Sequence, residues 1–339
     1  MSEAMPVRPV SSALDDAFDR AAAILSGASS VALSGHVNPD PDAIGSMLGV
    51  AGFLRTRGAD VVCSWPNVPM ELPRWLDVVP ERPPIVDPRE FPSEPAVMVA
   101  LDTASKDRLA SLAAAADRAR ELIVLDHHVT NPGFGTVAVI DPHASSTAEV
   151  AYRLIERMGG ARELTQEDAA CLYAGILTDT GRFQYGAATP ETLRVAAALR
   201  DTGFDHVALG QRLFEDGSYG YLRLLGVVLS RVRLEPEAGV VWAYALQSDF
   251  QEAGVPVHEA DDLIDVVRVA READVACVVR QQRDGRFKVS LRSRGASDVG
   301  SIAAAYGGGG HRLAAGYTAR GGLAETVADV VRAVREQRG

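Results

Sequence analysis

The stretch Ser34-Gly-His-Val-Asn-Pro-Asp-Pro-Asp-Ala-Ile-Gly-Ser46 decides how this chain is read. Just before it, Ser30-Val-Ala-Leu33 predicts a short buried strand. Just after it, Ile44, Met47, Leu48, Ala51 and Leu54 recur at helical spacing. The stretch is therefore a strand-to-helix loop, at the carboxyl end of a strand, where open α/β sheets place their sites. His36, Asp40 and Asp42 stand in that loop, and Pro39 and Pro41 stiffen it, so that its carboxylates are aimed. One imidazole and two carboxylates suit a hard or borderline divalent cation such as Mn²⁺. The same residues would also serve as a polar turn with an N-cap aspartate. Both readings stand on the loop alone.

The flanking sequence repeats the pattern. Leu14 to Leu25 predicts an amphipathic helix with Ser12 and Asp15 as its cap, and Ala59 to Ser64 a second strand. From Pro66 to Pro95 the chain carries nine of its eighteen prolines, which predicts an irregular excursion. Val97 to Leu101 is a buried strand ending at Asp102, and Leu122 to Leu125 another ending at Asp126-His127-His128. Thr136 to Ile140 follows, and then Ser146-Thr-Ala-Glu149, a capping box for which a helix start is a sufficient reading. Glu167 to Leu177 leads helically into Thr178-Asp-Thr-Gly-Arg-Phe183, and helices dominate from Pro190 to about Arg231. Strands alternating with helices indicate a parallel sheet, whose carboxyl ends share one edge. A single aspartate at a strand end is ordinary. Acidic and imidazole groups at four successive ends are not.

After Arg231 the character changes. A hairpin over Val232–Leu234 and Val240–Leu246 precedes a helix near Ala260 to Ala270, strands near Ala276–Gln281 and Phe287–Leu291, and a helix from Val299 to Tyr306. Gly307-Gly-Gly-Gly-His311 interrupts, before a strand and a closing helix from Ala324 to Glu336. This predicts three parts: a first domain over 1–215, a helical linker over 216–231 and a smaller α+β domain over 232–339. Four consecutive glycines let the backbone approach a ligand and offer N–H groups to an anion. The plainer alternative is a turn in which Gly307 ends the preceding helix. Arg292 can grip phosphate bidentately, although a strand arginine is often merely exposed. His143, His206 and His258 read as ordinary histidines.

Composition bounds these readings. At 339 residues, 47% hydrophobic and 23% charged, the chain has the makeup of an ordinary globular protein with room for two cores. No apolar run suits a bilayer span, and Met1 to Val10 lacks a signal-peptide core, so a cytoplasmic location is expected. Cys63, Cys171 and Cys277 are odd in number and far apart, which implies neither a disulfide framework nor a zinc knuckle. A net charge of −11 argues against extended nucleic-acid binding, while a local basic excess between Arg268 and Arg312 suits a short anionic ligand.

In this pattern the chain resembles the DHH phosphoesterase superfamily, in its DHH–DHHA1 branch. The signatures are His36-Val-Asn-Pro-Asp-Pro-Asp42 with Gly45-Ser46, Leu101-Asp102, Asp126-His-His128, Thr178-Asp-Thr-Gly181, Ser290-Leu-Arg-Ser293 and Gly307-Gly-Gly-Gly-His311. The resemblance implies an α/β fold: a parallel-sheet DHH domain joined by a helical linker to a smaller α+β DHHA1 domain, with the active site in the cleft between them. It implies two divalent cations, with Mn²⁺ expected. His36, Asp40 and Asp102 would hold one; Asp42, Asp102, His127 and Asp179 would hold the other. A hydroxide activated by the pair would attack phosphorus. The resemblance gives His128 the phosphate or leaving group, and Asp126 the orientation of an imidazole. It gives Arg292, Ser293, Gly307, Gly308, Gly309, Gly310 and His311 the substrate. The implied substrates are short oligoribonucleotides such as pApA, cyclic di-AMP, and adenosine 3′,5′-bisphosphate (pAp). Duplex nucleic acid and membranes are not expected partners, and a homodimer is left open. A RecJ-like single-strand exonuclease and an inactive nucleotide-binding module are the alternatives, while the second domain disfavours a pyrophosphatase.

Overall fold

A computed structural model describes residues 12–338. Met1 to Val10 and the side chain of His258 lie outside the described residues. The chain forms two units, one ending at Glu215 and the other beginning at Asp216.

In the first unit, chain order runs α1 (Ser12–Gly27), β1 (Ser30–Ser34), α2 (Pro41–Thr56), β2 (Asp60–Ser64), β3 (Val97–Leu101), α3 (Ala113–Arg118), β4 (Glu121–Asp126) and β5 (Val137–Ile140). Four helices follow: α4 (Thr147–Arg157), α5 (Gln166–Asp179), α6 (Pro190–Arg200) and α7 (His206–Phe214). The strands form one parallel sheet in the order β2-β1-β3-β4-β5. Both of its faces are covered, which is why its strands are apolar through their interiors, with polar residues only at their ends. Alternate residues of β3 serve different cores. Met98 and Ala100 pack with Phe91, Leu109 and Leu112, whereas Val97, Val99 and Leu101 pack with α1, α2, α4 and α5. Ser12 lies inside α1 rather than capping it. The proline-rich excursion contains one 3₁₀ turn, Arg74–Val78, and bridges to the sheet at Cys63 and Ile85.

Helices α2 and α5 cross at glycines. A Cβ on Gly45 would stand 2.2 Å from the carbonyl oxygen of Cys171, and one on Gly175 would stand 2.5 Å from Asp42 Oδ1. Backbones so close bring the start of α2 and the end of α5 to the same edge of the sheet. Asp42 and Asp179 ride on those ends.

The second unit comprises α8 (Tyr219–Ser230), β6 (Arg233–Glu235), β7 (Val240–Ala245), α9 (Gln247–Ala253), α10 (Leu263–Val267), β8 (Val275–Gln281) and β9 (Phe287–Ser293). It closes with α11 (Val299–Ala305), β10 (Gly309–His311), β11 (Ala314–Ala319) and α12 (Leu323–Arg338). Its mixed sheet has the order β10-β11-β9-β8-β7-β6, with β7 and β8 parallel and the other neighbours antiparallel. Alternation again divides the strands: Val275, Cys277 and Val279 face one core, Ala276 and Val278 the other.

Three expectations change here. The segment read as a linker is α8, which buries Leu224 and Val228 in the second unit's own core. The helix expected near Ala260 to Ala270 is a 3₁₀ turn, Val257–Ala260, followed by the short α10, and α9 was not anticipated. The glycine run is partly a strand, since Gly309, Gly310 and His311 pair with Gly316, Ala315 and Ala314.

The three cysteines are unpaired and buried. Cys63 and Cys171 lie in the first unit's core, and Cys277 lies in the second's. Among the described residues no helix is long and apolar enough to cross a membrane.

Candidate metal centre

Asp40 satisfies both readings of the first loop at once. As N-cap of α2 its Oδ1 accepts the N–H groups of Asp42 and Ala43, each at 3.0 Å. Its Oδ2 lies 4.0 Å from His36 Nε2. A side-chain pair between Asn38 and Asn67 pins the loop, and Asn38 takes a left-handed φ of 54°. The backbone carbonyl of Val37 lies 2.8 Å from His36 Nδ1, and Nε2 is the ring nitrogen turned toward Asp40 and Asp102. Arg108 Nη2 lies 2.7 Å from His36 Nδ1.

Asp102 stands at the centre. It follows β3 directly and is held at φ 56°, with its N–H donated to Leu125 O at 3.0 Å. Its Oδ2 is 3.3 Å from His36 Nε2, while its Oδ1 is 3.7 Å from His127 Nε2. The same Oδ1 lies 3.5 Å from His128 Nδ1, so one carboxylate faces three imidazoles, His36 through Oδ2 and the His127–His128 pair through Oδ1. His127 Nε2 is in turn 3.2 Å from Asp179 Oδ2. His36, Asp40 and Asp102 offer ligand atoms within 4.8 Å of one another, and so do Asp42, Asp102 and His127. The fold thus gathers all six residues that the sequence singled out for metal, and Asp102 is common to both groups.

The electrostatics fit a cation. Asp42 is fully buried, and burial followed by the charges of Asp102 and Asp40 pushes its carboxyl well above the usual range. Asp179, whose side chain keeps 25% exposure, is raised by burial and then by Asp42, Asp40 and Asp102. Asp102 goes the other way. Burial would raise it, but the hydrogen bond and charge of His36, then His127 and His128, hold it well below the carboxylate range. Carboxylates that oppose each other's ionisation, beside imidazoles, form a donor set that a hard or borderline divalent cation satisfies.

His128 is placed differently. Its Nδ1 lies 2.7 Å from Asp126 Oδ1, and Asp126 is fixed by the His127 N–H at 2.9 Å and by Asn131 Nδ2 at 2.6 Å. Burial would lower the His128 pKa, but the bond to Asp126 and the charges of Asp102 and Asp126 raise it. Asp126 therefore orients His128.

In the second unit Arg292 is 27% exposed, with Nε 3.9 Å from Asp265 Oδ1. Ser293 is buried, and its hydroxyl accepts the Gly295 N–H at 2.9 Å. The glycines have local reasons to be glycine. Gly307, at φ 80°, and Gly308 donate to Ala304 O and Ala303 O, closing α11 in a Schellman turn. A Cβ on Gly308 or Gly310 would stand 2.2 Å from Gly316 O or 2.5 Å from Ala314 O. A Cβ on Gly309 would meet nothing, and His311 is exposed on β10. His143 and His206 are exposed and belong to neither ligand group.

Residues 30–176 match the DHH family, N-terminal domain, and residues 238–337 match the DHHA1 domain. A bifunctional oligoribonuclease and PAP phosphatase of Thermus thermophilus is 38% identical over 304 residues, covering 89% of this chain and 88% of that protein. The chain belongs to the DHH family, in its DHH–DHHA1 form. A crystal structure of an exopolyphosphatase-related protein from Bacteroides fragilis superimposes with a TM-score of 0.88 at 26% identity, covering 97% of this chain and 98% of that one. A cyclic-di-AMP phosphodiesterase of Listeria monocytogenes is 27% identical over 83% of this DHH–DHHA1 chain, which spans 43% of that longer protein.

Three residues of the site escaped the sequence reading. Asn131 sits five positions past Asp126, a loop residue with no periodicity to mark it. Arg108 belongs to the 3₁₀ turn after β3 and carries no motif. Thr147 lay within a quoted motif, but a helix cap already explained that motif.

Proposed function

We propose that this chain is a cytoplasmic, Mn²⁺-dependent phosphodiesterase. It hydrolyses short oligoribonucleotides such as pApA to nucleoside monophosphates, and also acts on pAp and cyclic di-AMP. The observation that supports this most is the convergence of His36, Asp40, Asp42, Asp102, His127 and Asp179 around one shared carboxylate. It occurs in a chain that is 38% identical to an oligoribonuclease and PAP phosphatase over nearly its whole length. Phosphoric ester hydrolysis is the chemistry its named relatives share.

His36, Asp40 and Asp102 would hold one cation and Asp42, Asp102, His127 and Asp179 a second. Bound there, divalent cations supply Lewis acidity, neutralising charge on phosphoryl oxygens and acidifying water. The chain supplies the rest. Asp102 presents one oxygen to each cluster. Asp126 fixes His128 through Nδ1, so the proton passed to the leaving ribose oxygen is carried on Nε2. In this reading Arg292, Ser293, Gly307, Gly308, Gly309, Gly310 and His311 bind the substrate's terminal nucleotide.

A net charge of −11 opposes long polyanions, and a single arginine with a glycine turn makes no extended basic track. The deciding experiment compares specific activity with Mn²⁺ on pAp, pApA, cyclic di-AMP and lengthening oligoadenylates. Activity should peak on dinucleotides and fall beyond about five nucleotides. Equal cleavage of long strands would favour the exonuclease reading. No turnover on any of them would favour a binding module.

A further inference from the structure

The start of α4 has four backbone N–H groups without helical partners, and three of them, those of Thr147, Ala148 and Glu149, can be traced to side chains. Ser146 Oγ accepts the Glu149 N–H at 3.1 Å. The expected return bond from Glu149 to the cap is replaced, since Glu149 Oε2 accepts the Ser145 N–H at 3.1 Å and the hydroxyls of Ser145 and Thr192 at 2.7 Å. The N–H of Thr147 is donated to Asp42 Oδ2 at 2.7 Å, and that of Ala148 to Asp42 Oδ1 at 2.9 Å. The Thr147 hydroxyl is donated to Asp102 Oδ1 at 2.9 Å. Thr147, Asp42 and Asp102 are all buried. A single residue thus joins the two carboxylates by its backbone and its side chain, more than a hundred positions away from Asp42 in the sequence.

From this we infer that Thr147 is the positioning residue of the metal centre, setting the rotation of the Asp102 carboxylate. An unrestrained aspartate carboxylate turns readily about its terminal torsion, which is broad and two-fold. Here Oδ1 faces His127 and Oδ2 faces His36. The Thr147 hydroxyl holds Oδ1 on the His127 side, and so leaves Oδ2 to the His36 side. Its backbone and that of Ala148 fix both oxygens of Asp42, so the helix start carries the spacing between the clusters. Partners that orient ligands in this way are worth about 10- to 100-fold in metal affinity. This inference rests on the metal reading of the site.

The test is Mn²⁺ titration of the substrate-free chain, followed by the electron paramagnetic resonance signal of free Mn²⁺. Thr147→Val keeps the shape and removes the hydroxyl, and Thr147→Ser keeps the hydroxyl. Valine should weaken Mn²⁺ binding about 10- to 100-fold, and serine should restore it. Unchanged binding in Thr147→Val, or equal loss in both variants, would overturn the inference. Should Thr147→Val fail to fold, Thr147→Ala against Thr147→Ser decides by the same criteria. Asp102→Ala in the same titration separates the two levels. If it too binds Mn²⁺ normally, the metal reading fails; if it alone loses Mn²⁺, only the role of Thr147 fails.

Discussion

His128 shows how one contact sets a residue's chemistry. Its bond to Asp126 stabilises the imidazolium, so its folded-state pKa is raised. In the metal-free chain that contribution to stability is complete below the unfolded value of about 6.5 and is lost as pH rises through the folded one. Asp126→Asn should lower the His128 titration midpoint by NMR and remove this part of the pH dependence. An unmoved midpoint would mean that Asp126 does not govern His128. The acid and imidazole residues of the site were legible because their types, at successive strand ends, had no sufficient structural excuse. Thr147 and Asn131 were not, because a hydroxyl or amide in a turn always has one.

Elements decide whether those residues meet. The α2–α5 crossing depends on close backbones, and a methyl on Gly175 would stand against Asp42 Oδ1 and 2.8 Å from Ala148 Cβ. Gly175→Ala should therefore cost about 1–3 kcal/mol and also impair Mn²⁺ binding, although Gly175 is no ligand. Normal Mn²⁺ binding in a folded Gly175→Ala chain would show that Asp42 can shift without consequence. In the second unit, Gly308→Ala should lower the melting temperature by crowding β11. Gly309→Ala should leave it unchanged and raise KM if the turn touches substrate. Equal melting losses in both would contradict the geometry. The parallel sheet was readable because buried strands alternate with periodic helices. The strand character of Gly309 to His311 was not, since glycine carries no β signal and the pairing is supplied by β11. The short α9 and α10 were likewise hidden, being too brief for a period to emerge.

At the scale of the molecule, two units fold in one chain, and one core of each holds buried cysteine, Cys63 and Cys171 in the first and Cys277 in the second. Burial pushes the thiols of Cys63 and Cys171 well above their ordinary range and that of Cys277 up to about 12. A folded chain should hence resist alkylation, and each cysteine should react only when its own core opens. The cysteines are in effect two clocks. Mn²⁺ at a hundred times its dissociation constant stabilises what binds it by about 2.7 kcal/mol, equivalent to a hundredfold lower open population. Cys63 and Cys171 should then label about a hundred times more slowly while Cys277 keeps its pace, provided the units open independently. If all three slow together, the units open as one; if none slows, the cation is not held by the first. Reading three rates from one peptide map would thus report where the metal sits without any substrate being turned over.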